Sequence, residues 1–374
     1  MPFYGILYNF YTRRTAVDLD DLRKKIDELD KKIVENLNAR AKIVQEIGNL
    51  KRKSQSHVYV PGRETQVYQK ILKLSKGPLP PKTLTAVYRE IMSGSLALEK
   101  PLTVAYLGPE ASFSHIAATN KFGESLEYLP FSDIPSVFRA VVKKRVDYGI
   151  VPIENSTEGG VNDAIDMFHS TNAKIMAEVY QHIQHNLLSK HKQKEITKVY
   201  SKLTVFGQCK SWLAENLPDA ERIETVSTTR AAEIATEEKN CAAIASSLSA
   251  EKYGLPVLYS SIEDNEQNVT RFFILTADIP PKSKAGEYKT SIMISLKDHI
   301  GALHDMLIPF KTYNINLTRI ESRPSRQKAW EYFFFIDFEG YSGDDNPREC
   351  LKSLAEHAKD VKVLGSYPKA EMIF

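Results

Sequence analysis

The chain has 374 residues, of which 42% are apolar and 26% charged, and its formal net charge is +3. These proportions are typical of a folded protein of two or three domains and exclude general disorder, which requires few apolar residues and a large net charge. The small net charge provides no field for binding nucleic acid, although local cations could hold a small anionic substrate. No apolar run approaches the roughly 20 residues that span a membrane, so we expect no membrane partner.

Three cysteines, Cys209, Cys241 and Cys350, are far apart and form no CxxC pair. We therefore expect no disulfide framework and no metal site, and the thiols are typical of a cytoplasmic protein. The apolar start of the chain precedes its positive charges, which is the reverse of a signal peptide. We interpret residues 1–17 as a disordered leader without function.

Residues 18–100 have the periodicity of helices. The apolar residues at spacings of three and four are Leu22, Ile26, Leu29, Ile33 and Leu37. The pattern predicts a helix that continues to about Lys53, a break at Pro61-Gly62, and two further helices over 63–74 and 83–99. Three helices, one of them very long, cannot bury this stripe alone, so we expect a second copy of the chain as partner.

Residues 101–279 alternate between strand-like and helical segments. Strands are predicted at 102–107, 148–153 and 242–245, each followed by a helix. This order predicts an α/β domain with a largely parallel sheet, whose ligand crevice lies at the carboxyl ends of its strands. After a linker at 280–287, the predicted order is β-α-β-β-α-β, which indicates a ferredoxin-like α+β domain.

The first helix carries cations on one face. Arg40 and Lys51 are about three turns apart and share that face. Arg23 precedes Arg40 by about 25 Å along the helix, which is too far for both to serve the same pocket. In an antiparallel dimer, Arg23 would serve the pocket of the second copy. Any one of these residues alone would be an ordinary solvated charge.

The joint pattern resembles the all-helical chorismate mutase family over residues 18–100. The positions that match the active site of that family are Arg23, Arg40, Lys51, Arg63, Glu64, Ser95 and Glu99. The resemblance implies rearrangement of chorismate to prephenate, with Arg40 and a second copy's Arg23 on the two carboxylates. Lys51 and Glu99 would hydrogen-bond the ether oxygen as its negative charge grows. Glu64 and Ser95 would hold the substrate hydroxyl and a carboxylate, and Val60 stands where some members have an acid.

Three polar runs follow predicted strands, at Gly108–His115, Pro152–Gly160 and Asn268–Phe273. Each alone would be a turn with a helix cap. Together they resemble the prephenate dehydratases over residues 101–279, and the specific parts are Glu154–Thr157 and Thr270–Phe272. The resemblance implies two α/β lobes that close over prephenate, which loses carbon dioxide and its ring hydroxyl to give phenylpyruvate.

This reaction requires a proton donor near the departing hydroxyl. The family points to Thr270, which we interpret as a hydrogen-bond donor or proton relay, with Glu154 as the alternative acid. Arg271 is expected to grip a carboxylate of prephenate. The other substrate-binding residues that the resemblance implies are Ser112, Asn155, Ser156, Thr157 and Phe272. No cofactor is expected.

Residues 288–374 resemble ACT domains, small modules that bind amino acids at dimer interfaces. Two motifs match those that contact phenylalanine in regulatory domains of dehydratases: Gly301-Ala302-Leu303-His304 and Glu321-Ser322-Arg323-Pro324. The resemblance implies phenylalanine as a feedback effector.

The three resemblances predict a cytoplasmic bifunctional enzyme that is a homodimer or a higher homo-oligomer. It would consist of an all-α helical mutase domain, a two-lobed α/β dehydratase domain and an α+β ferredoxin-like ACT domain. Two alternatives stay open from the sequence. One is an arogenate dehydratase, which acts on an aminated substrate, and the other is a non-catalytic regulator that binds amino acids.

Overall fold

The computed structural model describes residues 18–54, 58–279, 281–282, 286–296, 299–324 and 332–370. It divides into two compact units, residues 1–56 and residues 57–374. The predicted leader, residues 1–17, and part of the predicted linker at 280–287 lie outside the described residues. Within the described chain, no helix combines the length and the apolar character needed to cross a bilayer.

The first unit contains one long helix, α1 (Leu19–Ser54), as the periodicity predicts. Acidic residues occupy its first turn and basic residues its last, where their charges offset the helix dipole. The predicted apolar stripe lies at the surface: the exposed fractions are 44% for Leu22, 56% for Ile26, 57% for Leu29 and 54% for Ile33. Because helices are stabilised mainly by packing of their apolar face, the exposed stripe agrees with the expected partner, which stays a prediction.

The second unit begins with α2 (Pro61–Leu74) and α3 (Pro81–Glu99). Pro61 and Gly62 lie in the first turn of α2, whereas the sequence predicted a break there. A proline is tolerated at this position because the first N–H groups of a helix have no partner within the helix. Both helices contact the α/β region. Glu64 of α2 accepts a hydrogen bond from Lys121 of that region. Glu90 and Ser93 of α3 accept hydrogen bonds from the backbone N–H groups of Glu124 and Ser125.

The α/β region spans β1 to β11 and α4 to α10. Its strands are β1 (Thr103–Leu107), β2 (Glu127–Phe131), β3 (Tyr148–Asn155), β4 (Gly159–Gly160), β5 (Lys174–His182), β6 (Asn186–Leu188), β7 (Lys198–Ser201), β8 (Glu221–Glu224), β9 (Cys241–Ala245), β10 (Val257–Tyr259) and β11 (Val269–Thr276). Its helices are α4 (Phe113–Phe122), α5 (Ile134–Val142), α6 (Asn162–Ser170), α7 (Leu203–Gln208), α8 (Lys210–Asn216), α9 (Thr228–Glu237) and α10 (Ser247–Tyr253).

Two sheets make two lobes, as the resemblance implied. The first lobe has the strand order β2-β1-β3-β11-β5, and the second has the order β10-β6-β9-β7-β8. The prediction of a largely parallel sheet is corrected, because both sheets are mixed. In the first lobe β1, β2 and β3 run parallel, but β11 is antiparallel to both of its neighbours. The chain leaves this lobe after β5, builds the second lobe, and returns through β11.

The C-terminal domain has the predicted β-α-β-β-α-β order. Its elements are β12 (Tyr288–Leu296), α11 (Ala302–Thr312), β13 (Leu317–Pro324), β14 (Tyr332–Glu339), α12 (Asp345–His357) and β15 (Ala358–Pro368). The sheet is antiparallel with the order β13-β14-β12-β15, and Trp330, the predicted start of β14, lies outside the described residues.

The sheet of the C-terminal domain is buried on both faces. One face packs on α11 and α12, through residues such as Ile336 and Leu354. The other face joins the core of the first lobe, where Phe335 and Tyr367 meet Phe273. The two backbones approach closely, since a Cβ at Gly365 would lie 2.0 Å from the carbonyl oxygen of Ile175, so only glycine fits there.

Candidate active sites and effector site

The central pair of the candidate dehydratase site is Asn155 and Thr270, which are neighbours across β3 and β11. Asn155 Oδ1 accepts hydrogen bonds from the backbone N–H groups of Thr157 (2.9 Å) and Glu158 (3.0 Å), so the orientation of its amide is fixed. Asn155 Nδ2 therefore donates to Thr270 Oγ1 at 2.8 Å. Among the described residues the Thr270 hydroxyl has no acceptor for its own hydrogen, which leaves that hydrogen available to a ligand.

A chain of side-chain amides continues from Asn155 into the second lobe. The other hydrogen of Asn155 Nδ2 goes to Asn268 Oδ1 at 2.8 Å, and Asn268 Nδ2 donates to Gln208 Oε1 at 3.3 Å. Gln208 Oε1 lies 2.7 Å from His185 Nε2, and because this oxygen only accepts, His185 carries its proton on Nε2. Burial lowers the pKa of His185, which keeps the imidazole neutral. The orientation of Asn155 is thus supported from both lobes.

Several other predicted substrate-binding residues have structural partners. Ser112 caps α4, where its Oγ accepts from the backbone of His115 and donates to the carbonyl of Leu107. Ser156 Oγ links the loop after β3 to β11 through Gln267 and Val269. The Thr157 hydroxyl donates to Asn155 Oδ1 at 2.6 Å. These contacts shape the loops around Thr270, and a direct contact of these residues with substrate stays a prediction.

Phe272 lies in the core of the first lobe. Its side chain is 2% exposed and packs among apolar residues that include Ile150 and Ala177. It lies two residues after Thr270, on the same face of β11. Its packing therefore holds the strand that presents the Thr270 hydroxyl.

Arg271 and Glu154 both face away from Thr270. They are cross-strand neighbours, one step along from the Asn155–Thr270 pair, and alternate residues of a strand point to opposite faces. Arg271 is 5% exposed, and its guanidinium forms ion pairs with Glu178 and Asp337 instead of pointing into an open cleft. Glu154 lies between the guanidinium groups of Arg271 (3.8 Å) and Arg319 (3.7 Å), so it is not placed to give a proton near Thr270.

The candidate mutase residues of the first unit follow α1. Arg23 is exposed and pairs with Asp20 one turn earlier, at 3.1 Å. Arg40 and Lys51 are half-buried and lie on a common face of the helix, as their spacing predicts.

The candidate mutase residues of the second unit lie on α2 and α3. Arg63 is exposed and donates to Gln66 at 3.1 Å. The Ser95 hydroxyl donates to the carbonyl of Ile91 at 2.7 Å. Glu99, in the last turn of α3, is buried. Val60 precedes the first turn of α2 and provides no side-chain cap.

Glu64 has partners that the sequence did not indicate. Its Oε2 accepts from the Tyr59 hydroxyl at 2.5 Å and from Lys121 Nζ at 2.7 Å. Burial and the charge of Glu64 raise the pKa of Tyr59 well above its usual value, so this hydroxyl remains a donor. Lys121 lies on α4 of the α/β region, so the α/β region itself orients this candidate mutase residue.

The candidate effector motifs lie at the start of α11 and on β13. Gly301 has φ 88 and precedes Ala302, the first residue of α11, and Leu303 and His304 are exposed. The side chains of β13 alternate between two faces, with Ser322 and Pro324 exposed. Glu321 and Arg323 face the first lobe.

The contacts of these two residues connect the effector motif to the first lobe. A Cβ at Gly160 would lie 2.5 Å from the Glu321 carboxylate, and Arg323 Nε lies 3.4 Å from Asp166 Oδ1. A side chain at position 160 would therefore have to displace the Glu321 carboxylate.

Three family models match the chain in succession. They describe chorismate mutase type II at residues 22–100, prephenate dehydratase at residues 104–280 and the ACT domain at residues 290–356. A bifunctional chorismate mutase/prephenate dehydratase from Aquifex aeolicus is 45% identical over 359 residues, which cover 94% of this chain and 98% of the relative. The chain belongs to the bifunctional chorismate mutase/prephenate dehydratase family.

Two further similar proteins support this assignment. The bifunctional chorismate mutase/prephenate dehydratase of Escherichia coli strain K12 is 30% identical, with coverage of 94% of this chain and 96% of the relative. The solved structure of a prephenate dehydratase from Arthrobacter aurescens in complex with L-Phe is 31% identical and has a TM-score of 0.68. It covers 72% of this chain and 90% of that chain.

Sequence reasoning missed Gln208, Asn268 and His185 as parts of the dehydratase site. Asn268 begins one of the three polar runs that resemble the family, so a signal was present, whereas Gln208 lies outside these runs. His185 carried none, because its partner Gln208 lies in another element. The charged residues Glu178 and Asp337 did carry a signal, since each is an acid with an apolar residue on either side of it in a strand. Such acids are almost never buried without a partner.

Proposed function

We propose that this protein converts chorismate to prephenate and then prephenate to phenylpyruvate, in a reaction sequence that leads to phenylalanine. Residues 18–100 form the mutase domain, residues 101–279 the dehydratase domain and residues 288–374 the ACT domain. The observation that carries the proposal is the fixed Asn155–Thr270 pair, in a chain whose similarity to bifunctional relatives covers 94% of its length.

The mutase site works by binding alone, because the rearrangement transfers no proton and needs no nucleophile. Arg40 and a second copy's Arg23 clamp the two carboxylates of chorismate in the folded, reactive conformer. Lys51 and Glu99 donate to the ether oxygen, where negative charge develops as the C–O bond breaks. Arg63, Glu64 and Ser95 complete the pocket around the substrate's polar groups.

In the dehydratase site, the Thr270 hydroxyl donates to the ring hydroxyl of prephenate as it departs. The bond to the carboxyl carbon breaks, its electron pair enters the ring, and the C–O bond breaks to release water and carbon dioxide. A threonine hydroxyl is a very weak acid, so it stabilises the departing oxygen by hydrogen bonding and relays a proton to it. The Asn155 amide holds Thr270 Oγ1 so that its hydrogen points to the substrate. Arg271 is held elsewhere, so no salt bridge from it restrains the carboxylate that must leave.

The C-terminal domain binds phenylalanine as an effector through the Gly301–His304 and Glu321–Pro324 motifs. A prephenate dehydratase of the same fold was solved in complex with L-Phe, which supports this ligand. Glu321 and Arg323 also contact the first lobe, so a movement of the motif would displace the residues of the first lobe that it contacts.

The protein acts as a homodimer in the cytoplasm. The exposed apolar stripe of α1 provides the interface, because a second copy of the helix would cover it and would bring Arg23 to the neighbouring pocket. Three buried, unpaired cysteines are typical of a reducing compartment.

The test is to incubate the purified protein with chorismate and follow prephenate and phenylpyruvate. Wild-type protein should form both products, Thr270→Ala should accumulate prephenate, and Lys51→Ala should convert added prephenate but not chorismate. An enzyme that prefers arogenate would convert that substrate faster than prephenate in a parallel assay. A non-catalytic regulator would form no product, and near-normal turnover of prephenate by Thr270→Ala would refute the assignment of Thr270.

A further inference from the structure

A buried ionic cluster joins the strand of Thr270 to the C-terminal domain. Arg271 of β11 donates from Nε to Glu178 Oε2 (2.8 Å) and from one terminal nitrogen to Asp337 Oδ2 (2.6 Å). Glu178 lies on β5 of the first lobe, whereas Asp337 lies on β14 of the C-terminal domain. Lys289 of β12 completes the cluster, with Nζ 3.2 Å from Glu178 Oε1. The two domains thus each contribute one acid and one base.

Hydrogen bonds close this cluster into a ring. The second terminal nitrogen of Arg271 donates to the Tyr367 hydroxyl at 3.1 Å. Ser291 Oγ donates to Asp337 Oδ1, so the Tyr367 hydroxyl must donate to Ser291 Oγ, which lies 2.6 Å away. Three strands of the C-terminal domain therefore hold one guanidinium group of the dehydratase domain.

The four charged groups of the cluster are buried. Arg271 and Lys289 balance Glu178 and Asp337, and the exposed fractions range from 0% for Asp337 to 7% for Lys289. Burial alone would lower the pKa of Arg271, but the charges of Asp337 and Glu178 outweigh it and hold that pKa well above its usual value. A buried ion pair adds little net stability over apolar packing, yet breaking it by removal of one partner is costly. Such a cluster therefore fixes the relative position of its elements rather than adding bulk stability.

Arg271 is the residue next to Thr270 on β11. Its side chain reaches the C-terminal domain on one face of the sheet, while the Thr270 hydroxyl lies on the other face. A register shift in the pairing with β3 lies directly after Arg271. A displacement of the cluster would therefore move the backbone that carries the Thr270 hydroxyl, with no contact between effector and substrate.

We propose that Arg271 is a positioning residue of the dehydratase site, and that the C-terminal domain controls Thr270 by holding Arg271 through Asp337 and Tyr367. This inference rests on the proposed role of phenylalanine as effector. When phenylalanine changes the C-terminal sheet, the ring of contacts around Arg271 shifts β11 and misaligns Thr270 relative to Asn155. Removal of Asp337 or of the Tyr367 hydroxyl uncouples effector binding from catalysis.

The experiment compares Asp337→Asn and Tyr367→Phe with wild-type protein. Tyr367→Phe removes a single hydroxyl and serves as the milder variant if Asp337→Asn does not fold. Calorimetry measures phenylalanine binding, and dehydratase kcat and KM are measured with and without saturating phenylalanine, with mutase activity as the folding control. Lys174→Met is the matched control, since Lys174 Nζ donates across the same domain junction to the carbonyl of Val363 at 2.7 Å, away from Thr270.

We expect both cluster variants to bind phenylalanine with a Kd within about threefold of that of the wild type. The effect of phenylalanine on kcat should be at least about fivefold smaller than in the wild type, which is the low end of allosteric coupling factors. Basal kcat should fall in these variants with little change in KM, whereas Lys174→Met should behave as wild type. The proposal is overturned if the variants keep the full phenylalanine effect, or if they lose phenylalanine binding itself. If the wild-type protein does not bind phenylalanine, the effector role fails, and the positioning role is then decided by whether kcat falls at unchanged KM.

Discussion

Replacing Asn155 by aspartate tests whether the direction of one hydrogen bond controls the dehydratase. The carboxylate keeps the shape of the amide, and one oxygen still accepts from the backbone N–H groups of Thr157 and Glu158. The other oxygen replaces Nδ2, which donates to Thr270 Oγ1 and to Asn268 Oδ1 at 2.8 Å each. An ionised carboxylate has no hydrogen to donate, so the Thr270 hydroxyl turns to donate to it and is lost to the substrate.

The size of the effect follows from the loss of one donor at the departing oxygen. Such a loss typically costs about 3 kcal/mol of transition-state stabilisation, or about 100- to 1000-fold in rate. The loss should appear in kcat, with little change in KM, because the hydrogen bond strengthens as charge develops. The fold should lose about 1 kcal/mol of unfolding free energy, since the hydrogen bond to Asn268 Oδ1 is removed, while the one with Thr270 is kept in the reverse direction.

The assay is steady-state turnover of added prephenate by Asn155→Asp between pH 4 and pH 9. A protonated carboxyl can donate again, so activity should rise as the pH falls toward the usual range of an aspartic acid, near 4. Asn265→Asp is the matched control, because Asn265 is exposed and uses only Oδ1, which accepts from the backbone of Gln267. If Asn155→Asp keeps kcat within about threefold of wild type at pH 8, the reasoning about the Thr270 hydroxyl is wrong.

Three further predictions concern the other domains. Glu99→Gln should keep its mutase activity, because the amide provides a permanent N–H donor for the ether oxygen in the same shape; an inactive variant that keeps its dehydratase activity would refute this role. Lys121→Met should raise the mutase KM about threefold to tenfold by releasing Glu64, with dehydratase kinetics unchanged as the control. Deletion of residues 288–374 should lower the melting temperature sharply or abolish solubility, because Met293, Phe335 and Leu364 complete the core of the first lobe; a truncated protein that melts as wild type would contradict this.

The sequence was sufficient where a pattern is local. The stripe of α1 predicted one long helix, because a 3.6-residue period depends only on neighbours along the chain. The C-terminal β-α-β-β-α-β order was read correctly for the same reason. The mixed sheets were not predicted, because the direction of β11 depends on a return of the chain after the whole second lobe, and its own residues do not encode that direction.

In the candidate site, too, the residues named from local motifs were predicted, and the contacts between distant residues were not. Thr270 and Asn155 were named from motifs, and the structure brings them within hydrogen-bond distance. Lys121 could not be inferred from the sequence, because its contact with Glu64 joins residues that lie 57 positions apart. A lysine in a short helix looks like any other surface charge until its partner is known.

Arg271 shows why adjacent motif residues need not share a function. In a strand, successive side chains lie on opposite faces, so a run such as Thr270-Arg271-Phe272 serves two environments at once. Thr270 and Phe272 belong to the face of the active site and its supporting core, and Arg271 belongs to the junction with the C-terminal domain. A motif that encodes both the proposed catalytic hydroxyl and the contact to the C-terminal domain ties the two together in three residues. Any displacement of the junction then acts on the catalytic strand through one peptide unit, which is the shortest mechanical path that the chain allows.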